Sequence, residues 1–135
     1  GIASFDAVSF IIKNNSINKY VTNKNEKFTI LYISGYMHFI KNFEGCIQKR
    51  DEIVEAFSGM FPNAQKMVNF GEDPQDPSGN SIFDAVFFRL NSGKDEINAY
   101  CINYEENFRN KNNLSEGLVV SINSAEILSW LSDEK

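Results

Sequence analysis

Nucleophilic chemistry in this chain would fall to Cys46 or Cys101, each of which would need a neighbouring base, and the sequence holds one histidine, His38. His38 is near enough to Cys46 along the chain to permit a dyad, yet nothing in the spacing requires one. A cysteine outside a reactive motif is more commonly a small buried hydrophobe. The two cysteines are too few for a disulfide scaffold and lack the close pairing of a redox or zinc motif. Both are therefore read as free thiols, with one bridge in an exported protein as the alternative. One histidine and two isolated cysteines cannot supply a four-ligand zinc site.

General acid and base work would need two carboxylates at one bond, and Asp84, Glu96, Glu105 and Glu106 are the strand-end candidates. Their spacing does not bring any two of them together, so solvated strand ends are the expectation. The run GEDPQDPSGNS over 71–81 offers the hard oxygen ligands Glu72, Asp73, Asp76, Ser78 and Asn80, which would suit calcium. An EF-hand loop counted from Asp73 should carry glycine at its sixth position, where this chain has Ser78. Phosphate-cradling glycine loops are absent from the sequence. The reading at this point is non-catalytic, with no cofactor and no metal.

Charge leaves one positive suggestion. The chain carries 13 basic and 18 acidic groups, a net charge of −5, the wrong sign for holding a phosphate backbone. Nucleic acid is therefore not an expected partner. Glu72, Asp73, Asp76, Glu105 and Glu106 would gather five negative charges if their two segments were neighbours. Tyr104 stands beside them as an aromatic anchor, with Tyr100, Phe108 and Trp130 in the same stretch of sequence or near further acidic residues. These six residues, Glu72 to Asp76 and Tyr104 to Glu106, form the expected binding surface, and its partner is expected to be a basic protein.

The elements that must position these residues follow from periodicity. Phe5, Val8, Ile11 and Ile12 suggest a first helix over 4–12, with Ser4 as its cap. Phe28 to Ile33 and Tyr36 to Phe43 read as two strands closed into a hairpin by Ser34-Gly35. On that register Phe28, Ile30, Tyr32, Met37 and Phe39 share the core side. The other side, with Leu31, Ile33 and Ile40, is too apolar for solvent and calls for cover by a helix, a loop or a second chain. Residues 48–60 form the clearest helix, ended by Gly59 and Pro62. A short strand over 64–70, the turn-rich loop, strands over 83–90 and 96–104, a polar connection and a strand over 118–122 come next. Ser124 caps a last helix that carries Ile127, Leu128 and Leu131.

The resulting order is α-β-β-α-β-β-β-β-α: an α+β fold with a mainly antiparallel sheet of five to six strands and helices on one face. Phe39 and Phe87 are expected in its core. At 135 residues the chain is read as one domain over 1–135, either a mature form or one domain of a longer chain, since it starts Gly1-Ile2-Ala3 without Met. No stretch is long and apolar enough for a membrane span. The expected location is cytoplasmic, or exported if a signal peptide preceded Gly1. The functional expectation is a small acidic protein that neutralises or escorts a basic partner, of the immunity-protein or secretion-chaperone type. The alternatives are a dimerisation or interaction domain, with a homodimer in view, and a small-molecule-binding α+β domain.

Overall fold

Six segments rich in β-branched and aromatic residues pair side by side, and every pairing is antiparallel. The computed structural model describes residues 5–14, 28–90 and 94–125. In chain order the elements are β1 (Ala7–Asn14), β2 (Phe28–His38), α1 (Phe43–Met60), β3 (Gln65–Glu72), β4 (Ile82–Leu90), β5 (Asp95–Asn103), α2 (Glu106–Lys111) and β6 (Gly117–Asn123). The strands lie in the order β1-β2-β6-β5-β4-β3, so β1 and β3 are the edges and the last strand sits in the middle. The chain is mainly sheet with helices, the α+β class expected from its sequence.

Helix α1 lies across β5 and β6. Its N-terminus is capped by Asn42, whose side chain accepts from the Gly45 amide at 3.1 Å, and it stops at Met60 ahead of Pro62. Residues 46, 50, 54 and 57 recur at helical spacing and form the contact stripe. Cys46 is bonded to Cys101 on β5. The buried Arg50 guanidinium reaches β4, donating to the Asp84 carboxylate at 2.7 Å and the Asp84 carbonyl at 3.0 Å. Val54 is buried, and Phe57 meets Phe88 edge to face at 6.3 Å. Beneath the stripe, Met37, Val86, Phe88, Ile97, Ala99, Leu118 and Val120 close the core.

Several expectations are corrected. The segment predicted as a first helix contains strand β1, because β2 offers it a full ladder from Ala7 to Asn14 and tertiary pairing overrides a short helical spacing. Ser34-Gly35 does not turn the chain. Phe28 to His38 is one continuous strand, with Gly35 paired to Val8 on one side and Val120 on the other. Glycine is needed there for approach, since a Cβ on Gly35 would lie 2.6 Å from the Phe5 ring. Without the turn, Tyr32 and Met37 fall on opposite faces instead of sharing the core. Phe88, 2% exposed, is the inward residue of β4; Phe87 is half-buried on the far face, and Phe39 packs at the margin of the core. The polar connection after β5 contains the short helix α2. The final helix predicted after Ser124 falls almost entirely on 126–135, outside the described residues.

The cysteines are not free thiols. Cys46 and Cys101 form a bridge between α1 and β5 with a Cα–Cα distance of 6.0 Å and a sequence separation of 55. In the chain-entropy account, closing a loop of that length disfavours the unfolded state by about 4 kcal/mol. The bridge also removes the Cys46–His38 dyad from consideration.

The two phenylalanines of β4 give a direct check of side-chain parity. Phe88→Ala should cost about 3–5 kcal/mol, the usual loss for a core phenylalanine, and Phe87→Ala clearly less. Urea unfolding of both variants measures the difference, and equal losses would contradict the register.

Candidate functional site

The residues predicted to bind come together at one end of the sheet, but most of them are already engaged. Between β3 and β4 the loop closes through Asp73, whose amide donates to the Ser81 carbonyl at 2.8 Å and whose carboxylate accepts from the Gln75 amide at 2.9 Å. Asp76 is buried and accepts from the Ser78 amide and hydroxyl, both at 2.9 Å, from the Ser81 amide at 3.1 Å and from the Ser81 hydroxyl. Those bonds, the Ser81 hydroxyl foremost, hold its carboxyl below the usual range against the opposing effect of burial. Gly79 takes φ 76°, a left-handed turn position that glycine adopts without strain. Calcium ligation would have to displace these donors.

Ser81 Oγ in turn accepts from the Glu105 amide at 2.8 Å, which fastens the loop to the start of α2. Glu105 caps that helix, accepting from the Phe108 amide at 2.8 Å. Glu106 pairs with Lys41 at 3.3 Å across exposed surface. Glu72 is exposed. Tyr104 is half-buried, with the Phe108 ring 6.0 Å away. It borders a shallow depression of about 340 Å³ shared with Asp73, Phe83 and Tyr100. Burial, Asp73 and Glu116 raise the Tyr104 phenol, and burial does the same for Tyr100. Tyr36, on the same face, is pushed up to about 12, by burial first and then by Tyr104. These phenols stay protonated at neutral pH and so do not serve as bases.

Glu116 was not singled out by sequence, and it organises this end of the molecule. It is 2% exposed, yet its carboxylate accepts from the Tyr104 amide at 3.0 Å and the Lys41 amide at 2.9 Å and pairs with Arg109 at 3.1 Å. Its carbonyl accepts from Phe39 at 3.1 Å. One buried acid thus joins the strand-to-helix turns after β2 and β5. No signal in the sequence separates it from seventeen other acidic residues of the eighteen.

The second candidate lies on the other face. α1 sits over β5 and β6, so among the described residues no helix lies on the flank of β1 and β2, and an apolar cleft of about 470 Å³ opens between helix and flank. Ile53, Ala56 and Phe57 of α1 form one wall; Phe5, Val8, Ile33, Val120 and Ile122 form the other with Gly35. Lys49 and Glu52 are the ionisable groups on its lining, and they pair with each other at 3.1 Å. Of the residues on the over-apolar side of the expected hairpin, only Ile33 lines this cleft; Leu31 and Ile40 do not.

The Asp76 knot should make stability depend on pH. A carboxyl held below its ordinary value near 3.9 contributes stability that is fully present above that value and lost as pH falls through the lower folded value. Wild type should therefore exceed Asp76→Asn in urea resistance at pH 6, with the gap narrowing as pH falls below the ordinary carboxylate value. A gap independent of pH would show that the charge of Asp76 contributes nothing.

No family model, curated protein or solved structure was found to match the chain.

Proposed function

We propose that this α+β domain, read as one unit over 1–135, is a binding protein whose cleft between α1 and the β1–β2 flank takes a small apolar molecule. The observation that carries this reading is the cleft itself. Its volume of about 470 Å³ falls within the roughly 300–1,000 Å³ typical of ligand sites, and its walls are almost wholly aliphatic and aromatic. Among the described residues of that lining the ionisable groups, Lys49 and Glu52, are paired with each other, which supports binding over catalysis. Disulfides persist in oxidising compartments, so the Cys46–Cys101 bridge favours an exported or lumenal protein over the cytoplasmic expectation. Among the described residues no helix is long and apolar enough to cross a membrane.

The uncharged fluorophore N-phenylnaphthylamine should bind with enhanced emission and be displaced by aliphatic competitors. Ala56→Trp, which fills the cleft from an exposed helix position, should weaken binding by at least about tenfold while leaving the melting temperature near that of wild type. Unchanged affinity in that folded variant would exclude the cleft.

A second reading keeps the acidic end as a docking surface for a basic protein. It is favoured by the Ser81–Glu105 hydrogen bond, which makes the two acidic segments neighbours, and by Tyr104 beside Asp73. Glu72 and Glu106 are the exposed charges to vary, because Asp73, Asp76 and Glu105 hold the backbone together. A Glu72→Lys/Glu106→Lys variant should associate more slowly than wild type with a basic partner isolated from the native source, most clearly at low salt. An acidic partner, or an unchanged rate, would count against this surface.

A further inference from the structure

We propose that the depression beside Tyr104, on the sheet face opposite α1, binds the ammonium group of a small organic cation. Strand register assembles its floor. Phe83 pairs with Ile102 and Ala85 with Tyr100, so these four side chains share the face that the buried Val86 and Phe88 turn away from. Tyr104 follows just past the end of β5, and the loop between β3 and β4 brings Asp73 to the same hollow. Three aromatic rings and one carboxylate thus line a volume of about 340 Å³, and the methyl group of Ala85 leaves room that a longer side chain would take. Among the described residues no lysine or arginine lines it.

Asp73 is the residue that calls for a cation. It is 8% exposed, yet among the described residues its carboxylate accepts from one donor, the Gln75 amide at 2.9 Å, and meets no basic side chain. A carboxylate withdrawn from water is unfavourable unless donors or a countercharge replace the lost hydration. The other buried acids of this end obey that rule: Asp76 gathers both Ser78 and Ser81, and Glu116 takes two amides and the Arg109 guanidinium. A second hollow that includes Tyr104 shows the contrast, because there Glu106 pairs with Lys41 at 3.3 Å and Glu116 with Arg109 at 3.1 Å. The chain supplies its own cations in that hollow and none at Asp73.

The rings supply the other half of the recognition. A cation is attracted by the quadrupole of a tyrosine or phenylalanine ring, and more strongly where the ring also excludes water. Burial first and Asp73 second hold the Tyr104 phenol above its ordinary value, so the carboxylate and this ring are close enough to act on one ligand. An anion would be repelled by Asp73, and an uncharged apolar molecule would cover the carboxylate without compensating it. An ammonium group satisfies both the acid and the rings. The site lies on the opposite face of the sheet from the apolar cleft and does not depend on it. It shares Asp73 and Tyr104 with the acidic docking surface, but its ligand is a small molecule.

Titration of the full chain, followed through the ring resonances of labelled tyrosine at constant ionic strength, tests the site. Two probes are used, choline and butylammonium, each against an uncharged counterpart, dimethylbutanol and butanol. At least one ammonium should shift Tyr100 and Tyr104 saturably and bind at least about tenfold more tightly than its neutral counterpart. Asp73→Asn keeps an acceptor for the Gln75 amide and removes the charge, so it should retain the melting transition and lose about tenfold in affinity. Tyr104→Phe, which keeps a ring, should bind like wild type, whereas Tyr104→Leu should bind about fivefold more weakly; this pair decides the matter if Asp73→Asn fails to fold. Glu72→Lys/Glu106→Lys should stay within about twofold of wild type at physiological salt, which separates this site from steering by exposed charge. Neutral probes that bind as well as the ammoniums, no saturable shift with either ammonium, a folded Asp73→Asn or a Tyr104→Leu with unchanged affinity, or an equal loss in the Glu72/Glu106 variant would overturn the proposal.

Discussion

The seat of α1 on the sheet decides the rest of the molecule. Cys46 bonds the helix to β5, and one turn on, Arg50 donates to Asp84 on β4. The two anchors lie on one stripe, so the helix can neither rotate nor slide toward the β1 edge without breaking a covalent bond or stranding a buried cation. The middle of the sheet is thereby roofed and its margins are left bare. Phe10 and Ile30 on one flank, and Val68 and Phe70 on the other, are exposed for the same geometric reason. The cleft is the inner part of the first of these margins, where the helix wall is close enough to enclose space.

The other end of the sheet obeys a different economy. Buried carboxylates are unfavourable unless donors replace the lost water, and Glu116 and Asp76 each gather several. The donors to Asp76 are local, Ser78 and Ser81, and close one loop, whereas those to Glu116 come from Lys41, Tyr104 and Arg109, so satisfying that one acid positions several turns. Lys41 shows the consequence: its amide serves Glu116 while its backbone takes φ 53°, an uncommon conformation for a side-chain-bearing residue that the buried acceptor helps to hold. The same logic turns most of the acidic residues at this end into structural groups. Of the six that stood out by charge and aromaticity, Glu72, Glu106 and Tyr104 keep surface to offer, while Asp73, Asp76 and Glu105 are committed to the backbone around them.

Taken together, the two ends suggest a division of labour. The Glu116 and Asp76 networks hold the loops at one end of the sheet, whereas the β1–β2 flank keeps exposed apolar residues, Phe10 and Ile30 among them. The proposed ligand cleft draws on that surface through Val8 and Ile33. Its opposite wall is formed by Ile53 and Phe57 of α1.

Sequence by itself determined the class of the molecule and most of its elements. Helical periodicity over 48–60 gives α1, β-branched and aromatic residues give β4, β5 and β6, and the turn formers of 71–81 give the loop, because in each case local propensity and final environment agree. Tertiary structure decided whatever depended on a distant partner. Phe5 to Ile12 satisfies a helical and a strand spacing alike, and only the ladder offered by β2 selects between them. Ser34-Gly35 resembles a turn until Phe5 occupies the space a Cβ would need. Two lone cysteines resemble buried thiols until a helix and a strand bring them within bonding distance. Glu116 looks like any surface acid until three separate segments direct their donors at it, for burial is a property of the packed chain and leaves no mark on the residue's neighbours in sequence.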